Sequence, residues 1–459
     1  MFTIPDIAAA TGGRIMGPAT GRITGISTDS RSVALGELFV PLRGERFDGH
    51  RFIAEVIAKG ITSVLAEEAW LGTDNAPSGV TCIAVKNSLT ALGDLAAAWR
   101  QRFAIPLVGV TGSNGKTTTK EMLAAILGQT GPGLKTEGNL NNLIGLPHML
   151  FRLGPDHLWA VLEMGMSEPG EIDRLAELAA PCVGIVLNAF PAHLESMGNV
   201  ENVARAKGEL LLRLPANGCA VYNADDPLIA ALPSPPGVRR LAFGLKGGDI
   251  RATEIENKGI DGQRFRLHLP DDHISVHLHA FGRHNIHNAL AAAAAAHAMG
   301  LPAPVIRAGL QEFRPYDKRF QLEQAHGLVL VDDSYNANPA SMAAALATLG
   351  ELKGTKRTFV ALGAMLELGG DEAELHRTLG SQAALVADRL YLYGPLTDHT
   401  AEGALSAGMP ATAVIRADSH ETIVADILAR AEADDFVLVK GSRGMHMERV
   451  AEGIRNGCL

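Results

Sequence analysis

The sequence is poor in cysteine and in aromatic rings, with four cysteines, three tryptophans and five tyrosines in 459 residues. Cys82, Cys182, Cys219 and Cys458 form no C-x-x-C pair, a pattern of reduced, mostly buried thiols in a cytosolic protein. A basic surplus is also lacking. The formal net charge is −9, which argues against nucleic acid as a partner while leaving room for local sites for anions. Long apolar runs are missing too: the alanine-rich stretch Ala289 to Ala296 is short and interrupted by His297. A membrane span needs about 20 apolar residues, so a buried helix is expected there and no membrane span anywhere. The start, Met1-Phe2-Thr3-Ile4-Pro5-Asp6, has no basic segment, and no signal peptide is expected. Repeats, low-complexity tails and coiled-coil heptads are likewise absent. What remains is a chain with 47% hydrophobic residues, enough for ordinary globular cores and, from its length, for roughly three domains.

The most informative segment is Gly109-Val110-Thr111-Gly112-Ser113-Asn114-Gly115-Lys116-Thr117. An apolar run, Ile105 to Val110, precedes it, and a helical pattern follows from Thr118 to Leu127. Strand, glycine loop and helix in that order point backbone N–H groups and a helix dipole at one concavity, a setting for phosphate. Lys116 is expected to reach the β- and γ-phosphates, and the Thr117 hydroxyl to help hold Mg²⁺. The strict G-x-x-x-x-G-K-[ST] pattern wants glycine where this chain has Val110.

An α/β organisation in three parts follows from the order of elements. Residues 1–85 carry short strands (38–42, 63–66, 82–85) and a helix near 52–59, separated by glycine and proline clusters such as 72–79. Residues 86–313 start with an amphipathic helix, 88–103, and then alternate strands (159–164, 183–188, 219–223) with helices. That alternation implies a parallel sheet covered on its faces. Between Arg251 and His279 the period changes to two, with Phe265, Leu267, Leu269 and then Ile274, Val276, Leu278, predicting an antiparallel excursion at a sheet edge. Residues 314–459 alternate again (strands 328–332, 357–362, 389–393, 436–440), as in a smaller doubly wound, Rossmann-like domain.

Several polar clusters fall at strand or helix ends. Glu163 closes the strand 159–164, where open α/β sheets place ligands, and a carboxylate there suits Mg²⁺ or, alternatively, caps the next helix. His193 follows the next strand, and Lys207 lies in a helical stretch; taken alone they read as a loop histidine and a solvated lysine. Asn285 and Asn288 share a helix face, with capping by Asn285 as the structural alternative. Asp332-Asp333-Ser334-Tyr335-Asn336-Ala337-Asn338-Pro339 follows a strand and carries more acids and amides than a plain connection needs, so a site is expected. Lys440-Gly441-Ser442-Arg443-Gly444 is either a second anion contact or a glycine-rich turn.

These segments together resemble the Mur ligase family, the ATP-dependent amide-forming enzymes of peptidoglycan precursor synthesis. The family's loop, G-x-T-G-[TS]-N-G-K-T, accommodates Val110. Three further stretches are similar to the members that add D-alanyl-D-alanine: Glu137-Gly138-Asn139-Leu140-Asn141-Asn142, Asp332 to Met342, and Met365-Leu366-Glu367-Leu368-Gly369. Thr28-Asp29-Ser30-Arg31-Ser32 and Leu38 to His50 resemble a uridine-diphosphate-binding domain. The resemblance implies a small α/β UDP-binding domain, a central P-loop ATPase domain and a C-terminal Rossmann-like domain, with ATP and Mg²⁺ as cofactors. It assigns Thr111, Gly112, Ser113, Asn114, Gly115, Lys116, Thr117 and Thr118 to the nucleotide, with Asn285 at adenine, Arg319 at the phosphates and Asp333 at the ribose. Thr117 and Glu163 hold one Mg²⁺; His193 and Lys207, the latter carbamylated, serve a second. Ser30, Arg31, Gly44, Glu45, Arg46 and Phe47 contact UDP, Asn139, Asn141 and Asn142 the sugar-peptide, and Tyr335, Asn336 and Asn338 complete the substrate set. Two departures stand out: Ala364 where the family usually has aspartate, and Phe320 after Arg319.

The implied reaction joins D-Ala-D-Ala to UDP-N-acetylmuramoyl-tripeptide through an acyl phosphate, in a cytoplasmic, monomeric enzyme. Another Mur-type ligase, a folate polyglutamate ligase or a P-loop switch protein are the alternatives. The Asn-Leu-Asn-Asn and Asp-Asp-Ser-Tyr-Asn-Ala-Asn-Pro markers disfavour the first two, and the sugar-nucleotide segment disfavours the third.

Overall fold

The computed structural model describes residues 1–44, 47–72, 77–191 and 197–457. The chain forms two compact units. One comprises Met1–Gly109, Gly131–Met166 and Gly170–Cys182; the other comprises Val110–Thr130, Ser167–Pro169 and Val183–Leu459. Among the described residues no helix is long and apolar enough to cross a membrane.

In the first unit a five-stranded sheet runs in the order Arg14–Met16, Thr81–Val85, Ser63–Glu67, Glu37–Phe39, Gly25–Ser27. Its pairs are parallel except the first. Every residue of Ser63–Glu67 and Thr81–Val85 is buried, as expected of strands covered on both faces. The strand at 37–39 is shorter than the apolar run 38–42 suggests; Pro41 has no N–H for a ladder, and the run ends there. The helix Ser88–Arg100 begins at Asn87, whose side chain accepts from the Thr90 N–H, and buries Leu92 and Leu95 against Ile4 and Ile7. Its last residue, Arg100, donates to the carbonyls of Ala179 and Ile105, fastening that helix to the following chain. Ala160–Glu163 pairs in parallel with Leu134–Lys135.

The second unit contains two sheets. In the first, Val183–Val186, Cys219–Asn223, Arg239–Gly244 and Ile250–Asn257 are parallel neighbours. Gln263–Leu269 and Asp272–Leu278 then continue the sheet antiparallel, the excursion that the period-two pattern predicts. Phe265, Leu267 and Leu269 face the core while Arg264 is exposed. The helix Arg283–Ala298 packs against these strands and against the helix Lys116–Gly128. The seven alanines between Ala289 and Ala296 are fully buried, as is Leu290 among them; small side chains let neighbouring elements approach the helix from every side. The second sheet has the order Gln321–Ala325, Leu328–Asp333, Phe436–Lys440, Thr358–Gly363, Arg389–Tyr393, Val414–Arg416. It is parallel apart from the hairpin at its first edge. Separate apolar clusters cover its two faces, so it is doubly wound. Three strands end side by side at Asp333, Lys440 and Gly363, the edge where such sheets receive ligands.

Candidate active site

The phosphate loop is built by a buried strand, two glycines and a helix start. The strand Leu107–Thr111 is buried at every residue, and the helix opens at Lys116. Gly115 has φ +86° in the left-handed region, and a Cβ there would lie 2.3 Å from Asn288 Oδ1. A Cβ on Gly112 would lie 2.8 Å from Leu187 Cβ. The loop can follow this path only with glycine at both positions. Lys116 turns back over its own loop and donates to the Gly112 carbonyl at 2.7 Å. Thr111 is buried, Thr118 is half-buried in the first helical turn, and Thr111 O accepts from Leu187 N.

Asn188 locks the loop. Its side-chain oxygen accepts from Asn114 N at 2.9 Å, its amide donates to Asn114 O at 3.1 Å, and its carbonyl accepts from Ser113 N. The sequence reading assigned Asn188 no role; its place at the end of a strand beside the phosphate loop was the available signal. Asn285 does not cap its helix. Gly282 holds that position, and Asn285 sits buried inside the first turn, donating to Phe281 O and accepting from Asn288.

Arg319 comes to the same loop from 202 residues away, its Nη2 3.3 Å from the Thr117 hydroxyl. Its flanking residues Lys318 and Phe320 have φ of +58° and +51°, a conformation non-glycine residues adopt at a cost. The guanidinium stacks 3.9 Å from the Tyr335 ring centroid, and its buried Nε has no hydrogen-bond partner among the described residues. A buried N–H left unsatisfied favours an incoming acceptor. With Lys116 and the glycine cradle, it fits a polyphosphate. Asn338 joins this group by a reciprocal amide pair with Asn114 (2.7 and 3.2 Å) while capping the helix Pro339–Leu352. Asn336 accepts from Arg443 N through its side chain. Asp333 accepts from Phe320 N and pairs with Lys440.

Lys207 is not a solvated lysine. It lies on the helix Val200–Leu212, only 4% exposed, and burial together with the nearby Lys116 charge pushes its ammonium well below the usual lysine range. Among the described residues no group of three or more His, Cys, Asp or Glu could hold a metal ion. His193, Glu45 and Arg46 lie outside the described residues. Ala364 is buried at the end of the strand Thr358–Gly363, with its Cβ against Gly394, a place of close packing rather than of charge.

In the first unit, Glu163 is buried at the carboxyl end of its strand, and its N–H donates to Thr136 Oγ1 at 2.8 Å. Asp29 lies between Thr28 and the exposed Arg31, whose side-chain and backbone N–H donors hold its carboxyl down to about 2. Ser30 follows it. Thr28 meets His148 at 3.1 Å, which ties this segment to the helix Gly145–Phe151. Asn142 accepts from Ile144 N and Gly145 N at the start of that helix, while the Asn139 and Asn141 carbonyls accept from Asn141 N and Gly165 N. Gly44 and Phe47 sit on paired strands of a two-stranded antiparallel sheet; Phe47 is exposed, stacks on Phe52 and lies under the Arg51 guanidinium.

A phosphate loop of this kind, met by an arginine from the segment that leads into a doubly wound sheet, describes an enzyme that uses a nucleoside polyphosphate such as ATP. Three family descriptions match along the chain: the Mur ligase family catalytic domain over residues 22–100, the middle domain over 110–296 and the glutamate ligase domain over 318–443. The chain belongs to the Mur ligase family. Among its relatives is the UDP-N-acetylmuramoyl-tripeptide–D-alanyl-D-alanine ligase of Synechocystis, 39% identical, covering 83% of this chain and 82% of the relative. MurF from Acinetobacter baumannii is similar in structure, with a TM-score of 0.89, 32% identity and 99% of both chains covered. MurF from Thermotoga maritima, solved in complex with ADP, superposes with a TM-score of 0.84 at 30% identity, over 95% of this chain and 97% of that one.

Proposed function

We propose that this chain joins D-alanyl-D-alanine to the tripeptide of UDP-N-acetylmuramoyl-tripeptide, with ATP converted to ADP and phosphate. The single observation that carries the reading is the loop 112–117 meeting Arg319, in a chain that MurF from Acinetobacter baumannii matches over 99% of both chains. A carboxylate is a poor acylating agent because its leaving group would be oxide. Its oxygen attacks the γ-phosphorus, ADP leaves, and an acyl phosphate forms. The dipeptide amine then adds to the acyl carbon, loses a proton, and phosphate departs with the C–O bond. Lys116 places positive charge at the transferring phosphate and Arg319 at the ATP phosphates, and the N-terminus of the helix Lys116–Gly128 orients them. Asn285 and Asp333 contact adenine and ribose. Ser30, Arg31 and the Gly44–Phe47 segment hold the UDP group, Asn139, Asn141 and Asn142 the sugar-peptide, and Tyr335, Asn336 and Asn338 line the substrate side.

Thr117 and Glu163 would hold one Mg²⁺, and His193 with carbamylated Lys207 a second; bound there, the ions would supply charge neutralisation for the phosphates. Carbamylation needs a neutral amine, and burial favours that form of Lys207. The domains are 1–85, 86–313 and 314–459, and the enzyme works as a cytoplasmic monomer. The test is ATP turnover with each substrate omitted in turn. Release of phosphate that requires both the UDP-tripeptide and D-Ala-D-Ala supports the reading. Faster product formation from the UDP-dipeptide with diaminopimelate or lysine overturns it.

A further inference from the structure

Lys440 ends the central strand of the C-terminal sheet and is 2% exposed. Its Cα is in register with Asp333 on the neighbouring parallel strand, so the two side chains leave the sheet together. Lys440 Nζ donates to Asp333 Oδ2 at 2.7 Å and to Asn336 O at 3.0 Å. The other Asp333 oxygen accepts from Phe320 N at 3.1 Å. Phe320 and Lys318 are the two left-handed residues on either side of Arg319, and Lys318 O accepts from Tyr335 N. Arg319 in turn stacks on Tyr335 and reaches Thr117.

We infer that Lys440 is a positioning residue that acts through Asp333 on the Phe320 N–H and thereby holds Arg319 on the phosphate loop. A left-handed turn of non-glycine residues persists only where surrounding contacts over-determine it, and the Lys440–Asp333 pair supplies one of them. The alternative role is a direct contact between Lys440 and an anion. The geometry disfavours it: the ammonium is enclosed and already directed at a carboxylate and a carbonyl. The inference rests on the nucleotide part of the proposed function and is independent of which peptide is joined.

The experiment is calorimetric titration of the whole chain with ADP, which needs neither peptide substrate, with circular dichroism on every variant. Lys440→Met is expected to weaken ADP binding about tenfold, and Lys440→Met with Arg319→Ala no more than about twofold beyond Arg319→Ala alone. Lys440→Met leaves the half-buried Asp333 carboxylate without its cation, so circular dichroism decides whether that variant is folded. Lys440→Arg keeps a cationic donor for Asp333 and leaves the carboxylate untouched; it is expected to fold and to bind ADP within about threefold of wild type. Unchanged affinity in folded Lys440→Met, losses that multiply with Arg319→Ala, or a loss in folded Lys440→Arg as large as in Lys440→Met overturns the inference. An absence of ADP binding by the wild type would sink the nucleotide reading itself, and this inference with it.

Discussion

Lys207 separates a buried structural amine from a metal-ligand precursor more sharply than any other residue. In the folded chain it is nearly enclosed, near Lys116, and its ammonium is held well below the ordinary value of 10.5. In the unfolded chain it titrates normally. Between the two values the unfolded state binds one more proton than the native state, so stability must rise with pH across that window. The slope for one proton is about 1.4 kcal/mol per pH unit. Below the folded-state value both states are protonated and the slope vanishes; above 10.5 both are neutral. Replacing the lysine by methionine keeps the stem and removes the titration. In buffers stripped of carbon dioxide, urea unfolding of wild type and Lys207→Met at steps up to pH 10 should show the gap closing in the wild type's favour as pH rises. The variant should be the more stable of the two at the acid end of the window. Its ligation rate should nonetheless fall about 100-fold or more, because a thioether provides no oxygen ligand. Parallel stability curves would refute the burial argument, and near-normal turnover would refute the ligand role.

Gly115→Ala should weaken ADP binding and cost about 1–2 kcal/mol for the left-handed backbone, with more for the contact on Asn288, read by titration and by urea midpoint. Lys116→Ala and Glu163→Ala should each lower kcat about 100-fold or more with a folded protein by circular dichroism; unimpaired turnover in either would place the nucleotide elsewhere. Asn338→Ala removes a helix cap and one half of the amide pair with Asn114, so it should lower stability by about 1 kcal/mol in urea unfolding. A double-mutant cycle with Asn114→Ala should then show coupling, and strict additivity would mean the pair carries no energy.

Elements whose signal is local were legible in the amino-acid order. The strands Cys219–Asn223, Arg389–Tyr393 and Phe436–Lys440 lie where their apolar runs predict, because burial on both faces demands continuous hydrophobic residues. The antiparallel excursion was legible from period two. Gln321–Ala325 was not: it is a half-exposed edge strand of mixed polarity, defined by its pairing with Leu328–Asp333 rather than by a pattern of its own.

The division is similar at the site. Sequence by itself determined the phosphate loop, since glycine at 112 and 115 and lysine at 116 answer to backbone geometry within a few residues. It also marked the Asp332–Pro339 segment as too polar for a plain connection, without saying what it touches, and left Lys440–Gly444 open between an anion contact and a glycine-rich turn. Only tertiary structure decided that Arg319 meets Thr117, that Asn114 pairs with Asn338 across 224 positions, and that Lys440 is spent on Asp333. It also decided that Lys207 is buried, against the ordinary expectation for a helical lysine. Such contacts depend on where separate sheets come to rest against one another. That placement is set by the summed packing of many apolar side chains, not by the residues that finally touch.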